Sequence, residues 1–81
     1  MTTIPADAEL DCKGLLCPLP AYKTRQALAR LHPGQVLRVE CTDPGSLADI
    51  PALARQSRWN LLSVAEREGV LVFVIQRPSL T

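Results

Sequence analysis

Eighty-one residues hold one domain, because a chain this short buries only about 60 to 65% of its unfolded surface and cannot divide its core. Hydrophobic residues make up 47% and charged residues 21%, with four Gly and seven scattered Pro, which excludes disordered and collagen-like chains. Nine Lys and Arg against eight Asp and Glu leave a formal charge of +1, so no excess field draws nucleic acid phosphates or an anionic membrane.

The longest apolar run, Val70 to Ile75, has strand length and falls far short of the ~20 residues of a membrane helix. Met1 to Asp7 lack the basic start and apolar stretch of a secretory signal, so a soluble protein with a cytoplasmic address and no membrane partner is expected. Three Cys in that compartment read as reduced thiols and not as a disulfide framework.

Ala8, Leu10 and Cys12 alternate with Glu9 and Asp11, the period-2 pattern of a short half-buried strand ending near Lys13-Gly14, with Cys12 inward. From Pro18 to Leu31 the residues Ala21, Thr24, Ala27, Leu28 and Leu31 recur at helical spacing, and His32-Pro33-Gly34 stops that helix. A second strand, Val36 to Thr42, places Leu37, Val39 and Cys41 on its inner face. Asp43-Pro44-Gly45-Ser46 turns the chain into a helix that runs to about Ser57. Two starts stay open for it: a capping box of Ser46 and Asp49, or Asp49 as the cap with Pro51 in the first turn.

Leu61 to Arg67 and Val70 to Arg77 flank Glu68-Gly69, too close for a crossover helix, and read as an antiparallel hairpin. The order βαβαββ with right-handed crossovers gives an α/β (α+β) two-layer sandwich, a four-stranded mixed sheet with both helices packed on one face. One domain over 8–77 with tails at 1–7 and 78–81 is expected. Val70 to Ile75 are apolar at both parities, which fits a central strand whose open face is covered by neighbours, a tail or a partner.

The chemical signal is Cys17-Pro18-Leu19-Pro20. A following Pro biases Cys17 toward the extended backbone of an N-cap, while Pro18 takes the first helical position. A helix start there supplies about half a positive charge, which favours thiolate and moves a Cys pKa from ~8.5 to about 7.5 or lower. Pro18 and Pro20 have no N–H, so the amides of Leu19 and Ala21 are left to face the sulfur. The sole His, His32, lies at the far end of the same helix, roughly 20 Å away, which argues against a Cys–His catalytic pair. With Cys12 and Cys41 inward no zinc set converges, and no metal or cofactor is expected. These residues leave two readings open: an activated thiol that receives a sulfur or acyl group and hands it on, or a small cap residue before a proline.

The run Asp11-x-Lys13-Gly14-Leu15-x-Cys17-Pro18-x-Pro20 resembles the hallmark of the TusA/SirA-like sulfur carrier family, as do Asp43-Pro44 and Asp49-Ile50-Pro51. The resemblance implies that fold over essentially the whole chain, with the last strand inserted between the second and third. It also implies that Cys17 takes a sulfane sulfur as a persulfide from a cysteine desulfurase or rhodanese-type donor and relays it to an acceptor protein. The outlets it implies are tRNA 2-thiouridine formation, molybdenum cofactor maturation or sulfur oxidation. Asp11, Lys13, Gly14, Pro18, Leu19 and Pro20 would support the Cys17 loop and helix start.

Cys12 and Cys41 depart from that motif and read by strand parity as buried packing thiols, the alternative being that Cys12 resolves an oxidised Cys17. Lys13, Lys23 and Arg25 are placed to steer an acidic partner surface toward Cys17, or are simply solvated. Asp43 is a turn former with a possible docking role, Trp59 a packing edge, and His32 a cation at a helix end. The alternative functions are a thiol-based redox or regulatory interaction domain and a nucleic-acid-binding module. For the latter, Gly14, Gly34, Gly45 and Gly69 make no GXXG clamp and no basic stripe or aromatic pair is present, so no direct nucleic acid contact is expected.

Overall fold

Alternation of apolar and polar residues builds the strands β1 (Ala8–Cys12), β2 (Val36–Cys41), β3 (Asn60–Arg67) and β4 (Val70–Gln76), with helices α1 (Leu19–Ala29) and α2 (Ser46–Ser57) in the order βαβαββ. The computed structural model describes residues 6–79, so residues 1–5 and 80–81 of the expected tails lie outside the described residues. The sheet order is β1-β2-β4-β3. β1 and β2 pair in parallel, and β4 runs antiparallel to both β2 and β3. The mixed sheet, with the last strand inserted between the second and third, is the one the resemblance implied.

Register explains the core. Leu10 lies opposite Val39 and Cys12 opposite Cys41, while Leu37, Val39 and Cys41 face Ile75, Phe73 and Leu71 across the β2–β4 ladder. These inward side chains meet Leu28 of α1 and Ile50 of α2 in one cluster, against which Trp59 packs from the end of α2. Strand-period burial from the sheet and helix-period burial from α1 and α2 therefore converge on a single layer. On the other face of β4, Val74 is buried and Val72 half-buried, with Arg38 and Glu40 as their cross-strand neighbours on β2. The apolar open face expected to be covered is thus largely covered within the chain itself. Glu68 and Gly69 close the hairpin at φ 53° and 82°, the two positive values of a type I′ turn.

Both helix starts differ in detail from the sequence expectation. Pro18 is the N-cap of α1 and helical geometry begins at Leu19, one residue later than proline preference alone suggests. The Cys17–Pro18 peptide is cis. For α2 neither open alternative holds: Gly45 is the N-cap, and Pro51 lies inside the helix. The preceding turn already satisfies the leading amides, because Ser46 donates to the Asp43 carbonyl, Leu47 to Pro44, and Ala48 and Asp49 to Gly45. No side chain is needed as a cap, and the Asp49 carboxylate is left for another use.

At the other end of α1 the guanidinium of Arg77 donates from Nη1 to the carbonyls of Leu28, Ala29 and Leu31 at 3.3, 3.0 and 2.7 Å. The cation at that helix end is therefore Arg77, where the sequence pointed to His32. Arg77→Ala is expected to lower the unfolding free energy by about 1–3 kcal/mol, measured by urea denaturation, with partial recovery in Arg77→Lys.

Candidate functional site

Parallel pairing of β1 and β2 brings their C-terminal ends to one rim, where the chain enters α1 and α2. Two loops meet there. Gly14 donates its N–H to Thr42 Oγ1 at 2.9 Å, lacing the β1–α1 loop to the end of β2. Cys17 donates its N–H to Asp43 Oδ2 at 2.7 Å, and its Sγ–H donates to Asp49 Oδ2 in the first turns of α2. Asp43 Oδ1 also accepts the Gly45 N–H at 3.4 Å, so one carboxylate ties the Cys17 loop to the cap of α2.

Gly45 has a steric role. A Cβ at that position would stand 3.1 Å from Cys17 Cβ and 3.2 Å from Asp43 Oδ2, tighter than ordinary van der Waals contact. The thiol itself is exposed. Leu16 and Leu19 on the way into α1, and Leu47 in the first turn of α2, are exposed apolar side chains on the same rim.

The electrostatics reverse the sequence expectation. The hydrogen bond to Asp49, followed by slight desolvation and the negative charges of Asp49 and Asp43, pushes the Cys17 thiol above its ordinary pKa. The helix-start field expected to favour thiolate is weakened at its source. Pro18 and Pro20 carry no N–H, and the Leu19 N–H donates to the Leu16 carbonyl at 2.9 Å in place of the sulfur. One carboxylate in contact with the sulfur and a second close by outweigh what remains of a helix dipole.

Cys12 and Cys41 are fully buried in register with each other at the ends of β1 and β2. Burial first, and then Cys41, pushes Cys12 up to about 11, and burial also raises Cys41. A thiol held protonated inside the core is a poor nucleophile, which favours packing over resolution for Cys12.

Asp11 and Lys13 do not touch Cys17. Asp11 Oδ1 accepts the Lys13 N–H at 2.9 Å, and Lys13 Nζ reaches Glu40 Oε1 at 2.8 Å and Asp11 Oδ1 at 3.4 Å. Arg38 holds the second oxygen of Glu40 at 2.6 Å. These residues shape the loop from the open face of the sheet, and the Lys13 ammonium is engaged there with Glu40 and Asp11. Lys23 and Arg25 are exposed on α1, and Pro20 lies on the buried face of the same helix. Asp43, expected as a turn former, is the anchor of the Cys17 amide. The residues that sequence reasoning missed are Asp49 and Gly45, read there as a capping residue and part of a turn. Their signal was their place after the parallel strand β2, which sets α2's first turns beside the Cys17 loop.

The family model described as sulfurtransferase TusA matches residues 8–77, and the chain belongs to that family. It is 42% identical over 71 residues to the sulfur carrier protein TusA of Allochromatium vinosum, covering 88% of this chain and 93% of that protein. A putative sulfur carrier protein of Neisseria meningitidis is 43% identical over 67 residues, covering 83% of this chain and 90% of its own. The crystal structure of a SirA-like protein from Desulfitobacterium hafniense shares the fold, with a TM-score of 0.79 at 24% identity over 89% of this chain and 99% of that one.

Two outcomes follow from the geometry. Since a raised pKa keeps the proton on sulfur to higher pH, the ultraviolet thiolate absorbance of Cys17 is expected to appear at higher pH than that of an unstructured cysteine peptide. Thiolate appearing at lower pH than in the peptide would refute the carboxylate effect. Gly45→Ala is expected to cost about 1–3 kcal/mol in urea unfolding, because Cys17 and Asp43 must yield to the new methyl.

Proposed function

We propose that this chain is a sulfur carrier: Cys17 receives a sulfane sulfur as a persulfide from a donor protein and passes it to an acceptor by thiol–persulfide exchange. The observation that carries this reading is that Cys17 is the one exposed thiol of three, mounted on a rim whose backbone is anchored by Asp43. Family membership and relatives bearing the name sulfur carrier support it. A carrier needs access and nucleophilic sulfur but no oxyanion hole. The exposed Leu16, Leu19 and Leu47 give a docking partner apolar area around the thiol, with Lys23 and Arg25 further along α1.

The donor is a cysteine desulfurase or rhodanese-type protein. The sulfur goes to tRNA 2-thiouridine formation, molybdenum cofactor maturation or sulfur oxidation, through an acceptor sulfur-relay protein in the cytoplasm. No helix among the described residues is long and apolar enough to cross a membrane. Once loaded, a persulfide anion is repelled by Asp43 and Asp49, which turns its outer sulfur toward the docked partner. The redox-sensor alternative is disfavoured by the same carboxylates, since oxidants react with thiolate.

Incubation with a cysteine desulfurase and cysteine is expected to add one reductant-labile sulfur, read by intact mass. Cys17→Ser is expected to take none; if it loads as well as the parent, the Cys17 assignment fails.

A further inference from the structure

We infer that Asp49 is a catalytic residue of the transfer, its carboxylate holding the Cys17 thiol proton at rest and accepting it as Sγ attacks the incoming sulfur. The inference rests on the carrier reading and adds the route of the proton. Cys17 Sγ–H donates directly to Asp49 Oδ2, from a residue 32 positions away in sequence, so the contact is made by the fold and not by local chain geometry. Among the described residues Asp49 makes no ion pair, and its backbone N–H is taken by Gly45. Its carboxylate is therefore occupied by the thiol and by no cation or cap.

The charged groups that act on Cys17 Sγ are Asp49 from α2 and Asp43 from the loop after β2. Asp43 is held by the backbone amides of Cys17 and Gly45. Asp49 alone touches the sulfur. A thiol made less acidic by these neighbours has little thiolate at neutral pH, yet a carrier must attack a sulfur atom there. A base in contact resolves the conflict, because the proton leaves in the same step in which the S–S bond forms.

The step balances without an oxidant or reductant. Cys17 S–H passes its proton to Asp49 as its sulfur attacks the outer sulfur of a donor persulfide, R–S–S–H. The new bond joins Cys17 sulfur to that outer sulfur, which keeps its hydrogen. The donor's S–S bond breaks, its electron pair leaves with the inner sulfur, and the resulting R–S⁻ takes the proton from Asp49 to become R–SH.

Cysteine persulfide is a suitable donor probe, with loading on Cys17 followed by intact mass across the neutral pH range in wild type and in Asp49→Asn. Thiolate is titrated separately by its ultraviolet absorbance, with Cys17→Ser as the blank for Cys12 and Cys41. The asparagine keeps size and hydrogen-bonding but takes no proton, so its loading is expected to follow its own thiolate, rising about tenfold per pH unit below the thiol pKa. The wild type draws on Asp49 at any pH where the carboxylate is ionised. The ratio of wild-type to Asp49→Asn rates is therefore expected to fall about tenfold per unit rise in pH, the donor's own ionisation cancelling. An unstructured cysteine peptide is a second reference, with the same fall expected in the ratio of wild-type to peptide rates, so the test does not depend on the variant folding. A constant ratio, with both rates proportional to thiolate, overturns the role of Asp49 and leaves the carrier reading standing. Failure of the wild type to take any sulfur on Cys17 overturns both.

Discussion

The hydrogen bond from the Cys17 amide to Asp43 is the constraint from which the rest of the site follows. It joins two loops that are remote in sequence, and it forms because β1 and β2 lie side by side in parallel and end at the same level. An antiparallel pairing would have sent these loops to opposite ends of the sheet. Once the amide is held, the sulfur is set against the cap of α2, where Gly45 makes room and Asp49 receives the thiol hydrogen. A buried framework beneath the rim, including the in-register Cys12 and Cys41, holds both strand ends in place.

The charge state of the thiol shows how magnitude decides between opposed effects. A helix start contributes partial charge from free amides, and here two of the leading residues are prolines while a third amide is committed to Leu16. Two full negative charges stand in the balance against that remainder. The resting site is therefore a protected thiol. With little thiolate exposed, the sulfur offers oxidants little of the form with which they react.

The fold was legible because each of its elements writes its own period. Leu37, Val39 and Cys41 declared an inward face of β2, and Glu68-Gly69 declared the hairpin, without reference to anything distant. The insertion of β4 between β2 and β3 came from resemblance; its apolarity at both parities, seen in Val72 and Val74, was consistent with that place but did not demand it. Helix starts were less legible, since proline preferences act over one residue and the turn before α2 competes with any side-chain cap. Pro51 could sit inside α2 because surrounding packing, with Ile50 buried beside it, outweighs one lost hydrogen bond.

From the chain of letters alone came the order of elements, the inward parity of Cys12 and Cys41, and Cys17 as the thiol to watch, because these depend on neighbours a few residues away. Tertiary structure alone decided which groups surround that sulfur. Asp43 and Asp49 lie 26 and 32 residues beyond Cys17, and no local period encodes such a meeting. Lys13, close in sequence, was carried instead to Glu40 on the opposite face of the sheet. Electrostatic interaction depends on distance in space, so the acidity of Cys17 was settled by where the parallel strands end and not by the motif that contains it.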